Sequence, residues 1–228
     1  MIHELSELRD RTRVFRDRSH AGEVLARMLA GRIPKDARIL AVPAGGVPVA
    51  AGIAKALGLP LDVAVVSKVT PSWNTEVGYG AVAFDGRVRI DARRQAALGV
   101  NEADRTRDVD RTLAKVRRRV RILRAGRGTL VPPGDTVILV DDGLASGITL
   151  ATAVEAVRAA GAGQIIVAVP TGHEDAIVRI AGVADQVHCA NVRSGRTFAV
   201  ADAYQSWMDL DDAAVLKALG LREGEVAQ

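Results

Sequence analysis

Short β-branched runs in this chain, such as Val137-Ile138-Leu139-Val140 and Ile165-Ile166-Val167-Ala168-Val169, show no alternation of polar and apolar residues. A strand with one wet face alternates; a strand covered on both faces does not. The pattern predicts five core strands, at residues 39–42, 63–68, 137–141, 165–169 and 187–190. Stretches of helical length lie between them, at 47–57, 150–160 and 174–181. Ser19 is placed to cap a further helix from about 20 to 30, and Asp211 one that runs to 219. Strands separated in this way need crossover helices. The expected fold is therefore α/β, an open and mostly parallel sheet with helices on both faces. Asp85-Gly86, flanked by strand-like runs over 81–90, marks an antiparallel hairpin.

The 228 residues, 48% apolar, suffice for one domain with a sizeable core, and 1–228 is read as a single unit. The formal net charge of +4 suits an anionic ligand without demanding nucleic acid. A lone cysteine, Cys189, excludes an internal disulfide and fits a reducing compartment; its apolar neighbours make it an inert core thiol. No apolar run reaches the span of about 18 residues that a membrane helix needs, and the N-terminal segment is charged rather than signal-like. A cytoplasmic location is expected. The four histidines are scattered without metal-ligand spacing, so no protein-bound metal is predicted.

Residues 101–124 read as one long helix with a narrow apolar seam at Val109, Leu113, Val116, Val120 and Leu123. Its last third carries Lys115, Arg117, Arg118, Arg119, Arg121 and Arg124. These read as a solvated face, with cations at the helix C-terminus where the macrodipole favours them. A nucleic-acid arm is the alternative, with no interleaved aromatics to support it.

The chemistry concentrates in Val137-Ile-Leu-Val-Asp141-Asp142-Gly-Leu-Ala-Ser-Gly-Ile-Thr149. An apolar strand runs into two carboxylates at its carboxyl end, where ligands bind in such sheets. Adjacent strand residues point to opposite faces, so Asp141 and Asp142 are not expected to share a proton, and each needs its own polar partner. Past them, Gly147 permits unusual backbone angles, and the helix that follows offers free N–H groups beside Ser146 and Thr149. Hydroxyl groups for the aspartates and a phosphate for the loop together describe a ribose 5-phosphate. Rival motifs fail. There is no GxxxxGK[ST], Gly143–Gly147 is GxxSG rather than GxSxG, and Gly78-Tyr79-Gly80 leads into a hairpin instead of a helix.

This stretch resembles the PRPP (5-phosphoribosyl 1-pyrophosphate) signature of type I phosphoribosyltransferases. Val42-Pro43-Ala44-Gly45-Gly46-Val47-Pro48 resembles their pyrophosphate loop, and Lys68 to Gly80 their flexible catalytic loop. The similarity covers nearly the whole chain. It is closest to a little-characterised bacterial and archaeal group that also carries a long charged helix before the PRPP strand. The resemblance implies Mg²⁺-dependent transfer of ribose 5-phosphate from PRPP to a nitrogenous acceptor, with the metal arriving on the diphosphate. It assigns Asp141 and Asp142 to the ribose hydroxyls, and Ala145, Ser146, Gly147, Ile148 and Thr149 to the 5-phosphate. Ala44, Gly45 and Gly46 would offer N–H groups to pyrophosphate across a cis Pro43–Ala44 peptide, and Lys68 would add charge. The loop bearing Trp73, Asn74 and Glu76 would close over the site. A hood at about 186–206, with Phe198 and Tyr204 as stacking or core aromatics, would cover the acceptor. His173 falls near that pocket, as a capping residue or a proton carrier. A homodimer is also implied. Relatives often carry a basic residue where this chain has Ala44, which leaves room for a PRPP-binding regulator with little turnover.

Overall fold

The computed structural model describes residues 1–221. The chain opens with a short strand, β1 (Ile2–His3), and reaches helix α1 (Arg18–Leu29). Next come β2 (Arg38–Ala41), α2 (Gly46–Leu57) and β3 (Leu61–Val63). A second group follows: β4 (Val66–Val69), β5 (Gly80–Ala83), β6 (Val88–Ile90), the short α3 (Ala92–Ala97) and the long α4 (Glu102–Leu123). The chain then runs through β7 (Thr136–Val140), α5 (Ile148–Ala159), β8 (Gln164–His173), α6 (Glu174–Ala181) and β9 (Gln186–Arg193), and ends in α7 (Asp212–Ala218).

Six strands form a parallel sheet in the order β1-β9-β8-β7-β2-β3, and β4-β5-β6 form a separate antiparallel sheet. The parallel strands are buried on both sides, as their unbroken apolar sequence predicts. Ile39, Ala41, Ile138 and Val140 enter one core with α1, α2 and the apolar edge of α4. Leu40, Val42, Val137 and Leu139 enter the other, with α5, α6 and residues of β4 and β5. The strand order reverses between β7 and β2, so the loops after these two strands open a crevice at the sheet's carboxyl edge.

Several expectations need correction. The run at 63–68 is not one strand: it breaks at Ala64-Val65, and its halves join different sheets. An apolar run alone does not say where a chain leaves a sheet. The sheet holds six strands rather than five because Ile2–His3, too short for a periodic signal, pairs with β9. Helix α1 starts at Arg18 and is capped by Asp17, whose carboxylate accepts from the His20 N–H at 2.8 Å, not by Ser19. Asp211 does cap α7, and the Asp85-Gly86 hairpin is present, with Gly86 at φ +87°. His188 is fully buried against His3 at 4.4 Å, and burial pushes its pKa down to about 4, so it is a neutral core residue.

Candidate active site

The crevice between the β2 and β7 loops is a cleft of about 760 Å³. One wall is the turn from β7 into α5. The strand ends at Val140, so neither Asp141 nor Asp142 is in it, and strand alternation does not separate their side chains. Asp141 Oδ1 accepts from the Asp142 N–H at 2.9 Å. Burial, and then the charge of Asp142, raise the Asp141 pKa well above the usual carboxylate range. Burial also raises Asp142, opposed by Arg18, whose Nε donates to its Oδ2 at 2.9 Å. The carboxylates thus interact, contrary to the expectation drawn from alternation. Asp141 has no cationic partner among the described residues.

The loop that follows is held from outside. The Leu144 N–H donates to Thr171 O at 2.9 Å, and Leu144 O accepts from the His173 N–H at the same distance, which ties the loop to β8. Arg179 of α6 donates to Ser146 O at 3.3 Å. Gly147 adopts the left-handed φ of +78° that its position in the turn requires. Among the described residues the N–H groups of Ala145, Ser146, Gly147 and Thr149 find no protein acceptor. These four residues line the cleft. Ile148 does not; its N–H leans on Ser146 Oγ at 3.4 Å.

The β2 loop forms the facing wall. Its Pro43–Ala44 peptide is cis. The N–H groups of Ala44 and Gly45 are free among the described residues, but that of Gly46 is already bonded to Val42 O at 3.1 Å, so Gly46 is not a ligand donor. The two glycines serve close packing instead. A Cβ on Gly45 would fall 1.8 Å from Asp142 Oδ2, and one on Gly46 would fall 2.6 Å from Val140 O. Only glycine lets the two loops meet at this spacing.

The third wall is α4, whose Arg117, Arg118 and Arg121 form the exposed face expected of them, while Arg119 departs from that reading and is buried. Arg111, Lys115 and Arg119, spaced by four residues, all line the cleft. Arg119 is 7% exposed; it pairs with Asp212 at 2.7 Å and donates to Pro43 O at 3.4 Å. Arg111 pairs with Asp108 at 2.9 Å and donates to Thr70 O at 2.6 Å. The Tyr79 hydroxyl donates to the same Asp108 at 2.9 Å, so both ends of the loop after β4 are braced on α4. The expected seam is present: Val116 and Leu123 are buried, and Val109, Leu113 and Val120 pack beside them. A polar row of Asp108, Thr112 and Arg119, buried alongside it, was not anticipated. Its helical spacing, offset by one residue from the apolar seam, was the available signal.

Lys68 on β4 faces the cleft, with its stem against Gly78. Thr70 and Thr75 of the following loop reach it, whereas Trp73, 64% exposed, Asn74 and Glu76 do not. Asn74 Oδ1 instead accepts from the Glu76 N–H at 2.9 Å and shapes the loop tip. Of the segment expected to form a hood, 186–193 is instead β9 of the parallel sheet, and in the remainder Tyr204 is buried against Phe15 and Trp207, its hydroxyl donating to Asp142 O at 2.6 Å. It supports the aspartate turn and is not free to stack on a base. His173 caps α6 by accepting from the Asp175 N–H at 3.3 Å, the capping role that its sequence position allowed. Phe198 lies edge-on to His173 at 5.9 Å, outside the cleft. Sequence reasoning also missed Arg18, whose guanidinium sits 3.8 Å above the Trp207 ring while holding Asp142.

The chain is similar to known proteins over most of its length. The family model for the phosphoribosyl transferase domain matches residues 20–201. A Mycobacterium tuberculosis protein named "Putative phosphoribosyl transferase", recorded for two strains, is 36% identical over 219 residues. That match covers 95% of this chain and 48% of the relative, so the chain spans about half the length of the curated relatives it matches. The crystal structure of TT1426 from Thermus thermophilus superposes with a TM-score of 0.72 at 32% identity, covering 90% of this chain and 97% of that one. No helix among the described residues is long and apolar enough to cross a membrane. By the extent of the family match and the likeness to these relatives, this chain belongs to the phosphoribosyltransferase family.

Proposed function

We propose that the chain transfers ribose 5-phosphate from PRPP to a nitrogenous acceptor and releases pyrophosphate. One juxtaposition carries the reading: four main-chain donors, free among the described residues, share a cleft with two buried carboxylates, of which Asp141 has no cationic partner there. Ala145, Ser146, Gly147 and Thr149 take the 5-phosphate, which needs no lysine because main-chain N–H groups at a helix start bind anions. Asp141 and Asp142 accept hydrogen bonds from the ribose hydroxyls. The free N–H groups of Ala44 and Gly45, with Lys68, take the diphosphate. As the bond from C1 to the diphosphate oxygen breaks, positive charge grows on the ring, and a buried carboxylate nearby stabilises it. The loop bearing Trp73 closes over the bound substrate and excludes water.

Mg²⁺ fits this site as an ion carried in on the diphosphate. Asp141 lacks a cation, and among the described residues no group of three or more His, Cys, Asp or Glu is arranged to cage a metal. Asp141 and Asp142 would be its protein contacts, and the ion would neutralise the leaving group.

The test is PRPP titration with and without Mg²⁺, followed by pyrophosphate release across a panel of purines, pyrimidines and amines. Replacing both aspartates (Asp141→Asn, Asp142→Asn) is expected to lower PRPP turnover at least about a hundred-fold with the fold retained. Unchanged affinity and rate would refute the assignment. A second reading, a PRPP-binding regulator, draws on the uncharged Ala44. Tight PRPP binding with no turnover on any acceptor would favour it.

A further inference from the structure

We propose that Lys115 of α4, opposite Lys68, is the cation that grips the diphosphate of the substrate. The inference rests on the PRPP reading and says which residues hold one end of that ligand. The cleft has two ends. Its 145–149 loop is tied to β8 and α6 through Thr171 and Arg179. The Pro43–Ala44 loop follows β2, on the far side of β7 from β8, and it is this loop that α4 touches, through Arg119 and Pro43 O. Lys115, an exposed residue, lies one helical turn before Arg119 on the same face and lines the cleft together with Ala44 and Gly45, whose N–H groups are free among the described residues.

The cations of the cleft differ in how they are paired, and Asp211 and Asp212 line it beside them. Arg119 is matched by Asp212 at 2.7 Å and Arg111 by Asp108 at 2.9 Å. Lys115 and Lys68 have no ion-pair partner among the described residues, although both line the cleft. Partial burial, then the neighbouring Arg119, lower the Lys115 pKa, opposed by the charge of Asp212, with Arg118 and Lys68 adding smaller lowering effects. Two ammonium groups without ion-pair partners, close enough to repel one another, are relieved by an anion placed between them. A helix outside the β2 loop thereby supplies the positive charge that an alanine at position 44 cannot.

The experiment is calorimetric titration of the intact protein with three probes in the presence of Mg²⁺: PRPP, pyrophosphate and ribose 5-phosphate. Lys115→Gln is expected to weaken pyrophosphate and PRPP at least about ten-fold, the loss of a charge-assisted contact. Ribose 5-phosphate binding should stay within about two-fold. Lys115→Arg should restore most of the loss, which a merely structural role would not predict. Arg117→Gln, an exposed change on the same helix, should leave all three probes unaffected. Pyrophosphate binding in Lys115→Gln equal to that of the parent overturns the inference and leaves the PRPP reading standing. A parent that binds pyrophosphate through Lys115 but fails to bind PRPP or ribose 5-phosphate refutes the PRPP reading while supporting the clamp. A parent that binds no pyrophosphate overturns the clamp.

Discussion

The two ends of the cleft are built on opposite plans. The 145–149 end is one continuous segment: a strand end, a left-handed glycine and a helix start deliver its donors from adjacent residues. The other end is assembled from the β2 loop, β4 and α4, with Lys68, Ala44 and Lys115 far apart in the chain. The first presents main-chain N–H groups, which no substitution other than proline deletes. The second works through side chains whose positions depend on how α4 docks. A local device is tolerant of side-chain change but intolerant of backbone change; an assembled one is the reverse.

Gly45→Ala tests where the two plans meet, and the largest effect is expected there. The new methyl would lie 1.8 Å from Asp142 Oδ2, so either the β2 loop or the carboxylate must move. Overpacking of this kind costs about 1–3 kcal/mol. Displacing Asp142 should also remove PRPP binding, read by titration alongside thermal melts. Retention of both would mean that the loops are looser than their packing implies.

Arg119→Met comes next. It removes a 7% exposed cation and leaves Asp212 without its main partner. Asp212 is partly exposed, so the expected loss is about 2 kcal/mol, below that for a fully buried pair. Because Arg119 holds Pro43 O, pyrophosphate affinity should fall several-fold while ribose 5-phosphate affinity holds. An equal fall for both ligands would show that the ends are not independent.

That division also explains what the sequence revealed. Asp141, Asp142 and the 145–149 loop were legible because strand, turn and helix start are encoded by neighbouring residues. The parallel sheet was legible from Val137–Val140 and its counterparts, because burial on both faces leaves an unbroken apolar run. Arg119 was not. In sequence it is one cation among six in the last third of a helix, and only docking against Asp212 and Pro43 distinguishes it from exposed Arg117. Arg18 was hidden for the same reason: its partners Asp142 and Trp207 are brought to it by the fold. The two roles of glycine were also indistinct. Gly147 is needed for its backbone angle and Gly45 for the space beside a carboxylate, and the letter G is the same in both.

Gly147→Ala separates those roles. Its nearest neighbour to an added Cβ is 3.6 Å away, so there is room, and the cost is conformational, about 1–2 kcal/mol for an L-residue at positive φ. If the turn is held by its ties to β8 and α6, stability should fall by that amount and 5-phosphate affinity only a few-fold. Loss of all ribose 5-phosphate binding would show that the loop relaxes to another conformation and that the local device is less rigid than its anchors suggest.

The smallest effect is expected at the hood. Tyr204 is 4% exposed, and its hydroxyl donates to the main-chain oxygen of Asp142 at 2.6 Å. In Tyr204→Phe the ring, with its packing on Phe15 and Trp207, is kept and one hydrogen bond is lost, worth about 1 kcal/mol. The acceptor oxygen remains at the edge of the cleft, where water can replace the phenol, so the loss should lie at the lower end. PRPP affinity should change less than about three-fold, because the Asp142 side chain is positioned separately by Arg18. A ten-fold loss of affinity would mean that the hood sets the aspartate turn through its backbone. The carboxylates would then belong with the assembled end of the cleft and not with the local one.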